Sequence, residues 1–104
     1  MTEGRVMMTQ HFTERTLTPG GDISMQCAAS AIKPPQFTWQ RDGMTISSNT
    51  DPRYSLGQVM RSDGTVLAQL NISRIRVEDG GIYSCIAKEG DHVALHENRL
   101  DVYG

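Results

Sequence analysis

Ile23, Met25 and Cys27 alternate with Ser24 and Gln26, Phe37 and Trp39 with Thr38 and Gln40, and Leu70 and Ile72 with Gln69 and Asn71. A fourth run sets Tyr83, Cys85 and Ala87 against Ser84, Ile86 and Lys88. Successive side chains of a strand point to opposite faces, so this period of two marks strands with one face in a core. Turn signals separate the runs: Pro19-Gly20-Gly21, Pro34-Pro35, Asp42-Gly43, Asp51-Pro52, Asp63-Gly64, Gly80-Gly81 and Gly90-Asp91. No window carries a sustained helical stripe, and only one short helical turn is expected, over 76–79. Seven or eight short strands in this length predict an all-β sandwich of two antiparallel sheets with Greek-key connections.

At 104 residues the chain holds one domain and one core. A chain this size buries roughly 65% of the surface its unfolded form exposes, which leaves it marginal without a further constraint. Charge is nearly balanced, 10 Lys plus Arg against 12 Asp plus Glu. No basic stripe is present to neutralise phosphates, so nucleic acid is not expected as a partner. No apolar run approaches the roughly 20 residues that cross a bilayer. Residues 1–10 carry Thr, Glu, Arg and Gln, lack the apolar stretch of a signal peptide, and are read as a leading segment that includes the start of the first strand. Residues 11–104 are read as the domain. Met1 is taken as an added initiator and Gly104 as a cut at a domain boundary, with any signal peptide of a secreted parent lying upstream.

Cys27, Trp39 and Cys85 sit at inward positions of three alternating runs. Two cysteines alone say little, because two buried thiols of a cytosolic domain read the same way. Their neighbours say more. Tyr83 stands two residues before Cys85, and Asp79-Gly80-Gly81-Ile82-Tyr83-Ser84-Cys85 reads Asp-x-Gly-x-Tyr-x-Cys, which resembles the immunoglobulin-superfamily signature. The resemblance implies a Cys27–Cys85 disulfide between opposing sheets, Trp39 packed against it, and a tyrosine corner at Tyr83 whose hydroxyl bonds back to the chain. Such a disulfide contributes about 4 kcal/mol by chain entropy and calls for an oxidising compartment. The short interval between the cysteines, and Asp42-Gly43-Met44-Thr45-Ile46 turning into a short extra strand, fit the intermediate (I-set) arrangement. There a basic residue pairs with the signature aspartate, here Arg53 with Asp79. The other reading leaves Arg53 solvated, and a partly exposed pair contributes little.

Longer stretches narrow the resemblance. Thr16-Leu17-Thr18-Pro19-Gly20, Pro35-Gln36-Phe37-Thr38-Trp39, Gly57-Gln58, Asn71-Ile72-Ser73, Glu78-Asp79-Gly80-Gly81 and Val102-Tyr103-Gly104 resemble the fifth immunoglobulin domain of the Down syndrome cell adhesion molecule (Dscam) family. The likeness runs from about His11 to the end. It implies the extracellular part of a single-pass plasma-membrane receptor of neuronal or immune cells. Neighbouring immunoglobulin domains would flank this one, and the full ectodomain would bind the same receptor on an opposing cell. Homophilic recognition in the arthropod members is carried by other domains, so this one is expected to be a spacer, monomeric as a fragment.

No Gly-x-Ser-x-Gly elbow appears and no His stands near a convincing nucleophile, so catalysis is not expected. His92 and His96 would lie roughly 13 Å apart on one strand, too far to share an ion; no metal or cofactor is expected. Asn71-Ile72-Ser73 is an N-glycosylation sequon, with Asn71 on the outward side of its strand. Two other functions compete: an intracellular module of a giant muscle protein, and a ligand-binding immune-receptor domain using loops 30–35, 45–51 and 88–92. Those loops are not aromatic-rich. Of one Trp, three Tyr and two Phe, Trp39, Tyr83 and Phe37 are assigned to the core. Phe12, Tyr54 and Tyr103 remain for the surface, and Met7, Met8 and Met60 are read as a candidate soft apolar patch.

Overall fold

The alternating runs become strands in the computed structural model, which describes residues 6–47, 49 and 51–104. In chain order they are β1 (Met7–Gln10), β2 (Arg15–Leu17), β3 (Ile23–Ser30), β4 (Gln36–Arg41), β5 (Met44–Ile46), β6 (Tyr54–Met60), β7 (Val66–Ile72), β8 (Gly81–Glu89) and β9 (His92–Val102), with a 3₁₀ turn at Val77–Asp79. One sheet has the order β1-β3-β7-β6 and the other β2-β9-β8-β4-β5. The leading segment contributes β1, while residues 1–5 lie outside the described residues.

The expectation of two purely antiparallel sheets needs one correction. β2 runs parallel to β9, pairing Arg15 with Leu100 and Leu17 with Val102. The chain enters along the first sheet as β1, crosses at 11–14, and continues in the second sheet beside the last strand. Three residues are too short for periodicity to reveal that switch.

The core lies between the sheets. β7 alternates buried and half-buried positions along its whole length, and Leu70, Ile72, Met25, Cys27, Cys85 and Tyr83 are almost completely buried. Each large apolar side chain buried in this way contributes about 1.5–3 kcal/mol. The Cys27–Cys85 disulfide joins β3 to β8, and so one sheet to the other. Trp39 pairs with Cys85 across β4 and β8 and is itself buried. Asp42 and Gly43 both take positive φ, 50° and 83°. That is what a two-residue hairpin loop demands, and it turns β4 into β5 with Arg41 opposite Met44.

The aromatic assignment changes. Phe12 and Tyr54 are buried, 8% and 5% exposed, and Tyr103 alone of the three is on the surface. Phe12 sits at the sheet crossover, tucked in with its ring 5.8 Å from that of Trp39. The methionine patch also fails. Met7 and Met8 lie on β1 and Met60 on β6, which are opposite edges of the same sheet, and Met8 packs on the core.

Candidate functional site

The densest polar constellation stands where the 3₁₀ turn meets the start of β6. The Tyr83 hydroxyl donates to the backbone oxygen of Asp79 at 2.5 Å. The Asp79 carboxylate accepts both ends of the Arg53 guanidinium, Nη1 at 2.7 Å and Nη2 at 2.8 Å. It also accepts the Tyr54 hydroxyl at 3.2 Å and the Arg76 backbone N–H at 2.7 Å. Arg53 donates further to the carbonyls of Ser73 and Arg74 and to Asp51, and Arg41 donates to the Tyr54 hydroxyl. Arg53 and Asp79 are 6% and 2% exposed, so Arg53 is not a solvated side chain.

Burial pushes the Asp79 carboxyl up, yet the hydrogen bonds from Arg53 and the Arg76 N–H outweigh it and hold the group below its ordinary range. The hydrogen bonds that Arg53 donates to Asp79, and then to Asp51, raise its own pKa against the opposing effect of burial. The Tyr83 hydroxyl is pushed up, chiefly by burial. Every one of these shifts keeps the pair ionised and the phenol neutral at neutral pH. The cluster is therefore a fixed brace, with no group poised to give or take a proton.

Gly81 has a specific reason to be glycine. Its φ is +153°, and a Cβ there would lie 2.7 Å from Oδ2 of Asp42. Asp42 cannot easily retreat, because its Oδ1 accepts the Ile82 N–H at 2.9 Å and its own N–H bonds the Ile82 carbonyl. The hairpin loop of β4–β5 is thus stitched to the start of β8.

The remaining residues singled out from the sequence are spread over the surface. Asn71 lies half-buried on β7, its Oδ1 accepting from Ser24 Oγ and from Gln69 Nε2. His92 is exposed, whereas His96 stacks on His11 with ring centroids 4.1 Å apart and bonds the Phe12 carbonyl. Among the described residues no three His, Cys, Asp or Glu side chains gather as a metal site. Of the three loops considered for ligand binding, 30–35 exposes Ile32, 88–92 is a tight turn with Gly90 at φ +59°, and residues 48 and 50 of 45–51 lie outside the described residues. Sequence reasoning missed Tyr54, Arg41 and Asp51 as members of the brace. Tyr54 directly follows Arg53, which was the one signal available. It also missed the outer face of β8 and β9, where Ile86 pairs with Leu95 and Lys88 with Val93, leaving Val93 and Leu95 exposed.

Comparison with known proteins agrees with this architecture. The sequence model of the immunoglobulin domain matches residues 7–89. The chain is similar to the cell adhesion molecule Dscam1 of Drosophila melanogaster, 39% identical over 98 residues, or 94% of this chain and 5% of that protein. To Dscam2 of the same organism it is 41% identical over 93 residues, 89% of this chain and 4% of that protein. To the cell adhesion molecule DSCAM of Homo sapiens it is 32% identical over 102 residues, 98% of this chain and 5% of that protein. The chain therefore spans about a twentieth of the length of these relatives. Among solved structures it superposes on the N-terminal eight immunoglobulin domains of DSCAM with a TM-score of 0.92 at 38% identity, covering 98% of this chain and 13% of that one. The titin M3 domain shares the fold, with a TM-score of 0.81 at 21% identity, covering 97% of this chain and 99% of that one.

Proposed function

From the premise that this chain belongs to the immunoglobulin domain family and is similar to Dscam cell adhesion molecules over most of its length, we propose that it is an extracellular spacer module of a homophilic adhesion receptor. In this reading it acts in neuronal or immune cell recognition, stands between immunoglobulin neighbours at the position of the fifth domain, and belongs to a single-pass membrane protein.

The observation that carries the spacer role is how the chain spends its anchoring residues. A recognition interface of standard size buries roughly 800 Å² per partner around aromatic or Arg anchors. Here Trp39, Tyr83, Tyr54 and Phe12 are buried, Phe37 is half-buried, and among the described residues Tyr103 is the only exposed Phe, Trp or Tyr. Arg53 is held inside the brace, whereas Arg15, Arg61, Arg74, Arg76 and Arg99 are exposed, on several different elements. What supports the spacer role is the scarcity of exposed aromatic anchors. Sedimentation velocity of the 104-residue chain at micromolar concentration tests this. A monomer is expected, and a symmetric dimer of sub-micromolar affinity overturns the spacer role.

The intracellular muscle-type reading is kept only because titin domains share the fold. Non-reducing mass spectrometry of the native protein separates the two, since a linked Cys27–Cys85 pair belongs to an oxidising compartment. A glycan on Asn71 is proposed as well. The Oδ1 of its amide is occupied by Ser24 and Gln69, and the Nδ2 that would carry the sugar has no partner among the described residues. Glycopeptide mapping of protein from animal cells checks it.

A further inference from the structure

Four strands form the edges of the two sheets, and three of them are short or irregular. β1 carries a register shift between Met8 and Gln10, while β2 and β5 have three residues each. β6 differs. Its seven residues, Tyr-Ser-Leu-Gly-Gln-Val-Met, contain no charge and no proline, and they pair with β7 in unbroken register. Free edges in natural sheets usually carry at least one such device against pairing.

The backbone polarity of β6 follows from its two ends. The Ser73 N–H bonds the Arg53 carbonyl at one end, and the Arg61 N–H bonds the Thr65 carbonyl at the other. In an antiparallel ladder the N–H and C=O of alternate residues face the same neighbour. Ser55, Gly57 and Val59 therefore bond β7, and Leu56, Gln58 and Met60 turn their backbone groups outward. Those groups have no partner among the described residues. On the same strand Leu56, Val59 and Met60 are exposed at 38%, 61% and 56%. Beside it opens a groove of about 300 Å³ between the sheets, lined by Leu56, Gln58, Phe37, Trp39 and Ile46. The Gln58 side chain spans its mouth, accepting the Phe37 N–H and donating to the Pro35 carbonyl.

We propose that this edge pairs with the β6 of a second copy of the chain, antiparallel, with Gln58 of both copies on the two-fold axis. That register sets the three outward residues against one another, Leu56 facing Met60 of the other copy and Gln58 facing Gln58. Every outward N–H and C=O then finds a partner. On the opposite face Gly57 meets Val59, and Ser55 meets Arg61. No like charges are opposed, so the edge is complementary to itself. The contact joins the two four-stranded sheets into one and covers the apolar side chains of β6. It is smaller than a standard interface, so the pairing is weak, with dissociation at roughly millimolar concentration. A monomer at micromolar concentration is compatible with it, and the spacer reading is tested separately.

Amide hydrogen exchange on the 104-residue chain reads the pairing directly, compared between roughly 20 µM and roughly 1 mM. The Leu56, Gln58 and Met60 amides are expected to slow about two-fold at the higher concentration, where about half of the chains are paired, while Ser55, Gly57 and Val59 stay protected throughout. The double variant Val59→Lys, Met60→Lys should keep its melting temperature and lose the concentration dependence. Exchange at the three amides that ignores concentration overturns the proposal. So does association that maps to Ile86 and Leu95 instead, or that survives in the lysine variant.

Discussion

At Asp79 a carboxylate that is 2% exposed accepts hydrogen bonds from Arg53, Tyr54 and the Arg76 backbone. Removing one partner of such a pair leaves the other charge buried and unpaired. Arg53→Met is therefore expected to cost about 3–5 kcal/mol, measured by denaturant melts. The acid side follows from the depressed pKa of Asp79. A carboxyl held lower in the folded state stabilises fully above its unfolded value of about 3.9, and that stabilisation is lost as pH falls through the folded value. The melting temperature should drop on acidification below about pH 4, and Asp79→Asn should flatten that drop while starting lower. An unchanged slope in the variant would place the acid sensitivity elsewhere. Tyr83→Phe keeps the ring but removes the bond to the Asp79 carbonyl, and should cost about 1–2 kcal/mol. Trp39→Ala opens a cavity beside the disulfide and should cost about 3–5 kcal/mol; wild-type melting would mean that Trp39 is not part of the core.

Between elements, the stitch of the β4–β5 loop to β8 depends on a missing side chain. Gly81→Ala forces a Cβ against a carboxylate that is itself bonded, in a backbone region that other residues avoid. About 1–3 kcal/mol is expected. Gly57→Ala is the control: nothing lies within 4 Å of the place its methyl would take, and a strand glycine replaced by alanine should hold or raise the melting temperature. The central strands were legible in the sequence where one face is drier than the other, as over 23–27 of β3 and 68–72 of β7, where residue type and burial alternate together. β6 was not. The side chains of Leu56, Gln58 and Met60 lie at an open edge and are exposed, like those of Ser55, Gly57 and Val59 between them, so polarity carries no period there. Phe12 stands alone among His11, Thr13 and Glu14, and a single aromatic at a crossover has no repeat to announce it. The pairing of Arg53 with Asp79 was legible only through the resemblance, because the burial of Arg53 depends on partners from the 3₁₀ turn and from the end of β7, which only the tertiary fold brings together.

For the whole molecule, a disulfide joins the sheets, the brace holds the start of β6 to the 3₁₀ turn, and the crossover strand closes onto β9. These constraints make one braced unit with a single exposed aromatic among the described residues, and on that the proposed spacer role rests. The most direct test of that role is aggregation of cells expressing the full parent receptor with Val93, Leu95 and Tyr103 of this domain changed together to aspartate. These three residues are exposed at 56%, 57% and 65%, so folding and surface display should survive. The spacer account predicts that most homophilic aggregation is retained. Loss of aggregation at normal surface expression would contradict it and make this domain a recognition surface.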